Sequence, residues 1–266
     1  VIQRAIPSTN ERVPVIGLGT WQTFDVSSAT ATQQLAAVLD RFAAGGGRLI
    51  DSSPMYGRAE EVVGELRAHL PNAFVATKVW TRGREEGEAE IERSMRRMRA
   101  RPIDLIQIHN LLDWRTHLAT LRRMKADGTV RYIGITHYQA AAFRDLESIM
   151  RDEELDFVQL PMSVVLPDAE RRLLPLAAER RIAVIVNRPF EGGSLFRGGP
   201  VPAVARDLGC ATWADVFLRW IVAHEEVTCV IPATANVAHL EENLRAGDAP
   251  LLTLEERERL RAAIAR

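Results

Sequence analysis

Eight short apolar runs recur along the chain, and their spacing restricts the fold more than any other feature. They are "VIGLGT" (15–20), "RLIDSS" (48–53), "FVATKV" (74–79), "IDLIQIHN" (103–110), "VRYIGITH" (130–137), "FVQLPM" (157–162), "IAVIVNRP" (182–189) and "TCVIPAT" (228–234). Starts at 48, 74, 103, 130, 157 and 182 lie 25 to 29 residues apart. Each run is nearly continuous in its apolar part, as a parallel strand covered on both faces requires. Amphipathic stretches lie between them. Leu35, Val38, Leu39 and Phe42 make one stripe, and Val62, Val63, Leu66 and Leu70 the next. Leu118, Leu121 and Met124 make another, which ends at Asp127-Gly128, a helix stop signal. The longer interval from 182 to 228 holds the glycine-rich "EGGSLFRGGP" (191–200), and "TLEERERLRAAIA" (253–265) reads as a final helix. This alternation predicts an α/β fold, a closed (β/α)8 TIM barrel rather than an open sheet. No linker or shift of composition divides residues 1–266, so a single domain is expected.

Bulk properties exclude several functions. With 47% hydrophobic and 26% charged residues, 266 residues suffice for one large core. A net charge of −1 gives no general attraction to nucleic acid or anionic membranes. The basic run "RSMRRMRAR" (93–101) reads as a solvated helix face, because Ile91, Met95 and Met98 recur beneath it at helical spacing. No apolar stretch approaches the ~20 residues of a membrane span. Cys210 and Cys229 are too few and too far apart for a disulfide framework or a zinc site, and no metal is expected. A monomer acting on a small molecule in the cytoplasm is the expectation. The start at Val1 instead of Met leaves room for an exported form whose leader was removed.

Polar groups stand where the strands should end. Asp51 closes the second run, Lys78 nearly closes the third, His109 lies at the end of the fourth, and Tyr56 follows on the loop after Asp51. In a barrel of this type, catalytic groups gather at the C-terminal ends of the strands. Taken singly, a histidine at a strand end is ordinarily a hydrogen-bonded structural residue. The lysine is the stronger signal, since a lysine is seldom buried without a partner and Asp51 offers one. A tyrosine has an ordinary pKa of about 10, too high for easy proton donation near neutrality. An ammonium about 4 Å away is worth about 4 kcal/mol at an effective dielectric of about 20, before desolvation. That predicts a phenol pKa lowered by up to about three. A tyrosine acid beside a carbonyl held by His109 suits reduction, given a hydride donor.

With these motifs in place, the chain resembles the aldo-keto reductase superfamily along nearly its whole length. The matching pieces are "GLGTW" (17–21), "IDSSPMYG" (50–57), "ATKVW" (76–80), "IDLIQIHN" (103–110), "RYIGITH" (131–137) and "IPATANVAHLEENL" (231–244). The resemblance implies a catalytic tetrad of Asp51, Tyr56, Lys78 and His109, with Tyr56 the general acid. It also implies a nicotinamide cofactor, NADPH before NADH, and reduction of aldehydes and ketones or the reverse. Cofactor contacts would then come from Gly19, Thr20, Trp21 and Asp51, and from Thr136, His137 and Gln159 at the carboxamide. Arg188, Pro189, Phe190, Gly192, Gly193, Ser194 and Leu195 would clasp the pyrophosphate, and Glu242 and Asn243 would bind adenine. Pro232, Thr234, Asn236 and His239 would border the adenosine ribose and its 2′-phosphate. Trp21, Met55 and Trp80 would line the substrate pocket.

Five positions depart from the family pattern. Thr136-His137 replaces a common Ser-Asn pair, and Asn187 stands where an aromatic ring often stacks on nicotinamide. Ala233 and His239 occupy places usually held by lysine and arginine around the 2′-phosphate. Two other functions remain open at this point. One is a lyase using Lys78 as a Schiff-base nucleophile, which an adjoining Asp51 disfavours by keeping the lysine protonated. The other is a nicotinamide-nucleotide-binding regulatory or redox-sensing protein on the same barrel, which would bind cofactor without turnover.

Overall fold

β-Branched and aromatic residues crowd the apolar runs, and these become the strands of the computed structural model, which describes residues 1–196 and 198–264. In chain order the strands are β1 (Gln3–Ala5), β2 (Arg12–Pro14), β3 (Leu18–Gly19), β4 (Leu49–Asp51) and β5 (Phe74–Val79). There follow β6 (Ile103–His109), β7 (Val130–Thr136), β8 (Phe157–Pro161), β9 (Ala183–Asn187) and β10 (Val227–Val230). The helices are α1 (Ala29–Ala44), α2 (Ala59–Glu65), α3 (Arg84–Met98), α4 (Trp114–Ala126) and α5 (Phe143–Asp152). They continue with α6 (Ala169–Arg180), α7 (Ala203–Asp207), α8 (Trp213–Val222), α9 (Val237–Ala246) and α10 (Leu254–Ile264). Strands β3 to β10 pair in sequence order as an eight-stranded parallel sheet. Parallel bridges Ile16–Val230 and Gly19–Ala233 bring its two edges together, so the sheet closes as a (β/α)8 barrel. Arg197 of the glycine-rich segment, and Ala265 at the end of the expected last helix, lie outside the described residues.

Two apolar layers hold this arrangement. The larger lies between barrel and helices and takes in the sequence-marked stripes, among them Leu35, Val38, Leu39 and Phe42 of α1 and Ile91, Met95 and Met98 of α3. The smaller fills the barrel's lower interior, where the rings of Phe74, Tyr132 and Phe157 meet at centroid distances of 5.6 to 6.0 Å. Ile6 and Val13 belong to that inner cluster. They come from the antiparallel hairpin of β1 and β2, which closes the bottom of the barrel. Sequence patterning missed the hairpin because three-residue strands carry almost no periodicity. From β1, Arg4 donates to the carbonyls of Val222 and His224 at 2.6 Å each, and to that of Val227. Its guanidinium thus satisfies carbonyls left over where α8 ends.

The ends of the barrel differ from the sequence expectation. The first run was expected to be a strand over 15–20, yet regular pairing covers only Leu18–Gly19. The last was expected over 228–234 and stops at Val230, before Pro232, which has no N–H for a ladder. The stripe through Leu70 also divides, α2 ending at Glu65 and a 3₁₀ turn following over Arg67–His69.

Close approach of α2 to α3 depends on Gly64. A Cβ there would lie 1.7 Å from the carbonyl oxygen of Arg97, a backbone atom that has no rotamer to move. Gly64→Ala should therefore force the two helices apart and cost about 3 kcal/mol, the upper part of the range for overpacking. Thermal unfolding checks it: the Tm should fall by several degrees, and an unchanged Tm would mean that the helices do not pack this closely.

Candidate active site

The C-terminal ends of the strands carry a ring of polar side chains, most of them buried. Asp51 ends β4, Lys78 is the penultimate residue of β5, His109 ends β6, Thr136 ends β7 and Asn187 ends β9. Parallel pairing places these ends side by side, with Gly19 beside Asp51 and His109 beside Thr136. Lys78 is 1% exposed and Asp51 2%, so the two charges are out of water and must satisfy each other.

They do so directly. Lys78 Nζ donates to Asp51 Oδ2 at 2.6 Å and to the Ser52 carbonyl at 2.6 Å. The other carboxylate oxygen, Oδ1, accepts from Gln107 Nε2 and Gln159 Nε2, each at 3.0 Å. An ammonium has three N–H donors, and the third is left for the phenol of Tyr56, whose ring centre lies 5.2 Å from Nζ. Burial opposes the lysine's charge, but Asp51 and then the phenol outweigh it and hold the pKa above the ordinary lysine value. The lysine is therefore charged.

Tyr56 departs from the sequence expectation. Burial raises the phenol's pKa, and the Lys78 ammonium draws it down by less than that, partly because Asp51 acts in the opposite direction. The net shift is upward, where the ammonium alone predicts a lowering. Tyr56 is consequently a protonated phenol at neutral pH. His109 meets Tyr56 edge-on at a centroid distance of 6.0 Å. Its pKa is pushed down to about 3, first by burial, then by Lys78 and His137, so the imidazole is neutral. Ser53 Oγ accepts from the Met55 N–H at 3.4 Å and lies 3.0 Å from His109 Nδ1. When the Ser53 hydroxyl donates to Nδ1, the ring proton sits on Nε2 as a donor.

A cleft of about 620 Å³ opens over these groups. Of the residues marked from sequence, Gly19, Thr20, Trp21, Asp51, Met55, Tyr56, Trp80, His109, Thr136 and Gln159 line it. So do Asn187, Arg188, Pro189, Phe190, Gly192, Gly193 and Pro232. Gly192 and Gly193 have φ of 68° and 93°, a left-handed backbone that glycine adopts without strain. A Cβ on either would meet nothing within 4 Å, so the loop backbone is open to a ligand.

Other marked residues fall elsewhere. Lys78 lies beneath the cleft floor, and Ser194, Leu195, Thr234, Asn236, His239, Glu242 and Asn243 lie outside its wall. His137 faces a second, more polar cavity of about 490 Å³ beside the first, shared with Asn110, Arg115 and Asp145. Asn236 caps α9, its Oδ1 accepting from the N–H groups of Ala238 at 2.8 Å and His239 at 3.3 Å. Thr234 Oγ1 accepts the Asn236 N–H at 3.1 Å. The Thr234 hydroxyl also donates to the Asn236 carbonyl at 3.4 Å, so it is engaged in the turn into α9, while Asn236 uses only its Oδ1 there.

Sequence reasoning missed four contributors. Gln107 had a visible signal, a polar residue inside the apolar "IDLIQIHN". Ser53 had none beyond its place after Asp51. Tyr138 and Phe196 join Trp21, Met55 and Trp80 around the cleft, all five between 41% and 46% exposed. An aromatic inside a glycine-rich loop was the available clue to Phe196.

Comparisons with known proteins agree with this geometry. The profile of the aldo/keto reductase family matches residues 15–265. Methylglyoxal reductase YeaE of Escherichia coli (strain K12) is 27% identical over 254 residues, which cover 91% of this chain and 88% of that protein. The crystal structure of an aldo-keto reductase from Klebsiella pneumoniae in complex with NADPH superimposes with a TM-score of 0.82 at 24% identity, covering 98% of this chain and 94% of that one. An aldo/keto reductase from the same organism, in complex with NADP and acetate, gives 0.80 at 25% identity, with the same shares of the two chains covered.

Proposed function

The chain belongs to the aldo/keto reductase family, and on that premise we propose that it reduces aldehydes and ketones with NADPH, Tyr56 supplying the proton. One observation carries the reading: a charged, buried Lys78–Asp51 pair at 2.6 Å turns its remaining donor toward a phenol that faces a neutral imidazole. A purely structural ion pair does not require a cleft lined by the same phenol and imidazole. The Schiff-base alternative needs a neutral lysine, which Asp51 opposes.

The cleft's residues fit a nicotinamide dinucleotide. Gly192 and Gly193 present open backbone where a pyrophosphate approaches. At the tetrad end Asn187 keeps a buried, unpartnered Oδ1 for a polar ring substituent. Held there by Asn187, Gly192 and Gly193, a nicotinamide would be the source of the hydride that the carbonyl carbon requires. Everything else falls to the protein. His109 Nε2–H holds the carbonyl oxygen, orients it, and stabilises the charge that grows on it. Tyr56 donates its proton to that oxygen. The Lys78 ammonium steadies the phenolate left behind, and Asp51, gripped by Gln107 and Gln159, keeps the ammonium in place. Trp21, Met55, Trp80, Tyr138 and Phe196 surround the mouth and exclude water.

Selectivity for NADPH is expected to be modest. The exposed Ala233 and His239 replace the two cations usual in relatives, and the Thr234 hydroxyl is occupied by the turn. The test is a panel of aldehydes and ketones, methylglyoxal included, followed at 340 nm with NADPH and NADH separately. Turnover of none of them with either cofactor would defeat the proposal and favour a binding protein on the same barrel. His239→Arg restores one charge-assisted donor, worth roughly 1.5–3 kcal/mol. It should tighten NADPH about tenfold or more in fluorescence titration and leave NADH unchanged. Equal tightening of both would remove the 2′-phosphate from this position.

A further inference from the structure

We propose that Asn187 reads the carboxamide of the nicotinamide ring, its Oδ1 accepting one of the amide N–H groups where relatives place a stacking aromatic. The inference rests on the dinucleotide reading above and starts from an orphaned atom. Asn187 is 9% exposed and lines the cleft, and its Oδ1 is buried with no hydrogen-bond partner among the described residues.

Its orientation is fixed by a chain of obligations that begins at Asp51. A carboxylate only accepts, so Gln159 must turn Nε2 toward Asp51 Oδ1, 3.0 Å away. That leaves Gln159 Oε1 on the other side, where it needs donors. Thr136 Oγ1 donates to it at 3.1 Å and Asn187 Nδ2 at 3.3 Å. Asn187 Nδ2 also donates to the His137 carbonyl at 3.3 Å. Both neighbours of that nitrogen are acceptors, so flipping the amide would set oxygen against oxygen twice. Asn187 Oδ1 is therefore held as the acceptor of the network that is left without a donor among the described residues.

Ligand chemistry follows from this count. Gln159 Oε1 already receives two donors, whereas Thr136 Oγ1, its hydrogen engaged, can only accept further bonds. Asn187 Oδ1 is the acceptor in this network that is buried with no donor among the described residues. A primary carboxamide brings two N–H donors, and it is the amide group of the reactive ring. The hydrogen bond fixes the ring in plane through its substituent, a task that an aromatic side chain performs by stacking.

The test compares NADP⁺ with its 3-acetylpyridine analogue, which replaces the amide nitrogen by a methyl group and so removes both donors. Protein fluorescence titration gives a Kd for each, without turnover. Wild type should bind NADP⁺ about tenfold tighter than the analogue, the equivalent of ~1.4 kcal/mol. Asn187→Leu and Asn187→Ser should each bring the ratio close to one by weakening NADP⁺, with the analogue's Kd little changed. Analogue binding also shows that each variant is folded. A wild-type ratio of one, or a ratio that survives both substitutions, overturns the assignment of Asn187. Failure of wild type to bind either dinucleotide overturns the nicotinamide reading itself.

Discussion

Replacing Tyr56 by phenylalanine should abolish carbonyl reduction while leaving dinucleotide binding intact. The substitution removes one hydroxyl and keeps the ring, which packs against the core and meets His109 edge-on at 6.0 Å. A general acid contributes about 10²–10⁴-fold to the rate, and among the groups facing the cleft no other side chain is as well placed to donate. His109 is a neutral imidazole, its pKa pushed down to about 3 mainly by burial. In the proposed reaction its Nε2–H holds the carbonyl oxygen, and a neutral imidazole is a poor acid. The pH dependence follows from the same facts. Reduction needs the protonated phenol, so the rate should hold below the phenol's pKa and fall above it. Burial keeps that pKa above its ordinary value, which gives a flat profile through neutrality with no step near the ordinary histidine pKa of about 6.5. Stopped-flow or steady-state assays of wild type and Tyr56→Phe decide the matter. A phenylalanine variant retaining half the parental turnover would remove Tyr56 from the role of acid.

The barrel was legible because each parallel strand is covered on both faces and so reads as an unbroken apolar run. The cluster of Asp51, Tyr56, Lys78 and His109 was legible for a complementary reason. Asp51, Lys78 and His109 interrupt such runs at their ends, and polar residues there need partners. What failed to show was everything set by neighbours distant in sequence. Gln107 and Gln159 meet on Asp51 Oδ1 from β6 and β8, and neither run announces that convergence. The direction of the Tyr56 shift depended on burial against Coulomb attraction, and only the packed site supplies the first. Arg188, Pro189, Phe190, Gly192 and Gly193 line the cleft, while Thr234 and Asn236 hold the turn into α9, a local competition for the same atoms that the sequence does not display. The β1–β2 hairpin escaped notice through brevity alone.

Lys78→Met is expected to lower turnover by two or more orders of magnitude and to move the pH profile. The reverse reaction shows this most clearly. Alcohol oxidation needs the phenolate as base, so its rate rises with pH until the phenol has ionised. The ammonium stabilises the phenolate; without it, burial and Asp51 both act to raise the phenol's pKa. The alkaline limb should therefore shift upward, and reduction should slow because a weaker acid donates less readily. One complication is structural. Removing only the lysine leaves the Asp51 carboxylate buried without its cation, and breaking such a pair costs about 3–5 kcal/mol. The double variant Asp51→Asn/Lys78→Met removes both charges and keeps similar shapes, so it should be more stable than the single variant. It still lacks the ammonium. The double variant should still shift the limb upward, by less than Lys78→Met because it lacks the Asp51 charge, and Asp51→Asn alone, which retains the lysine, should show the smallest loss of rate. A limb that stays in place in the folded double variant would mean that Lys78 does not tune Tyr56.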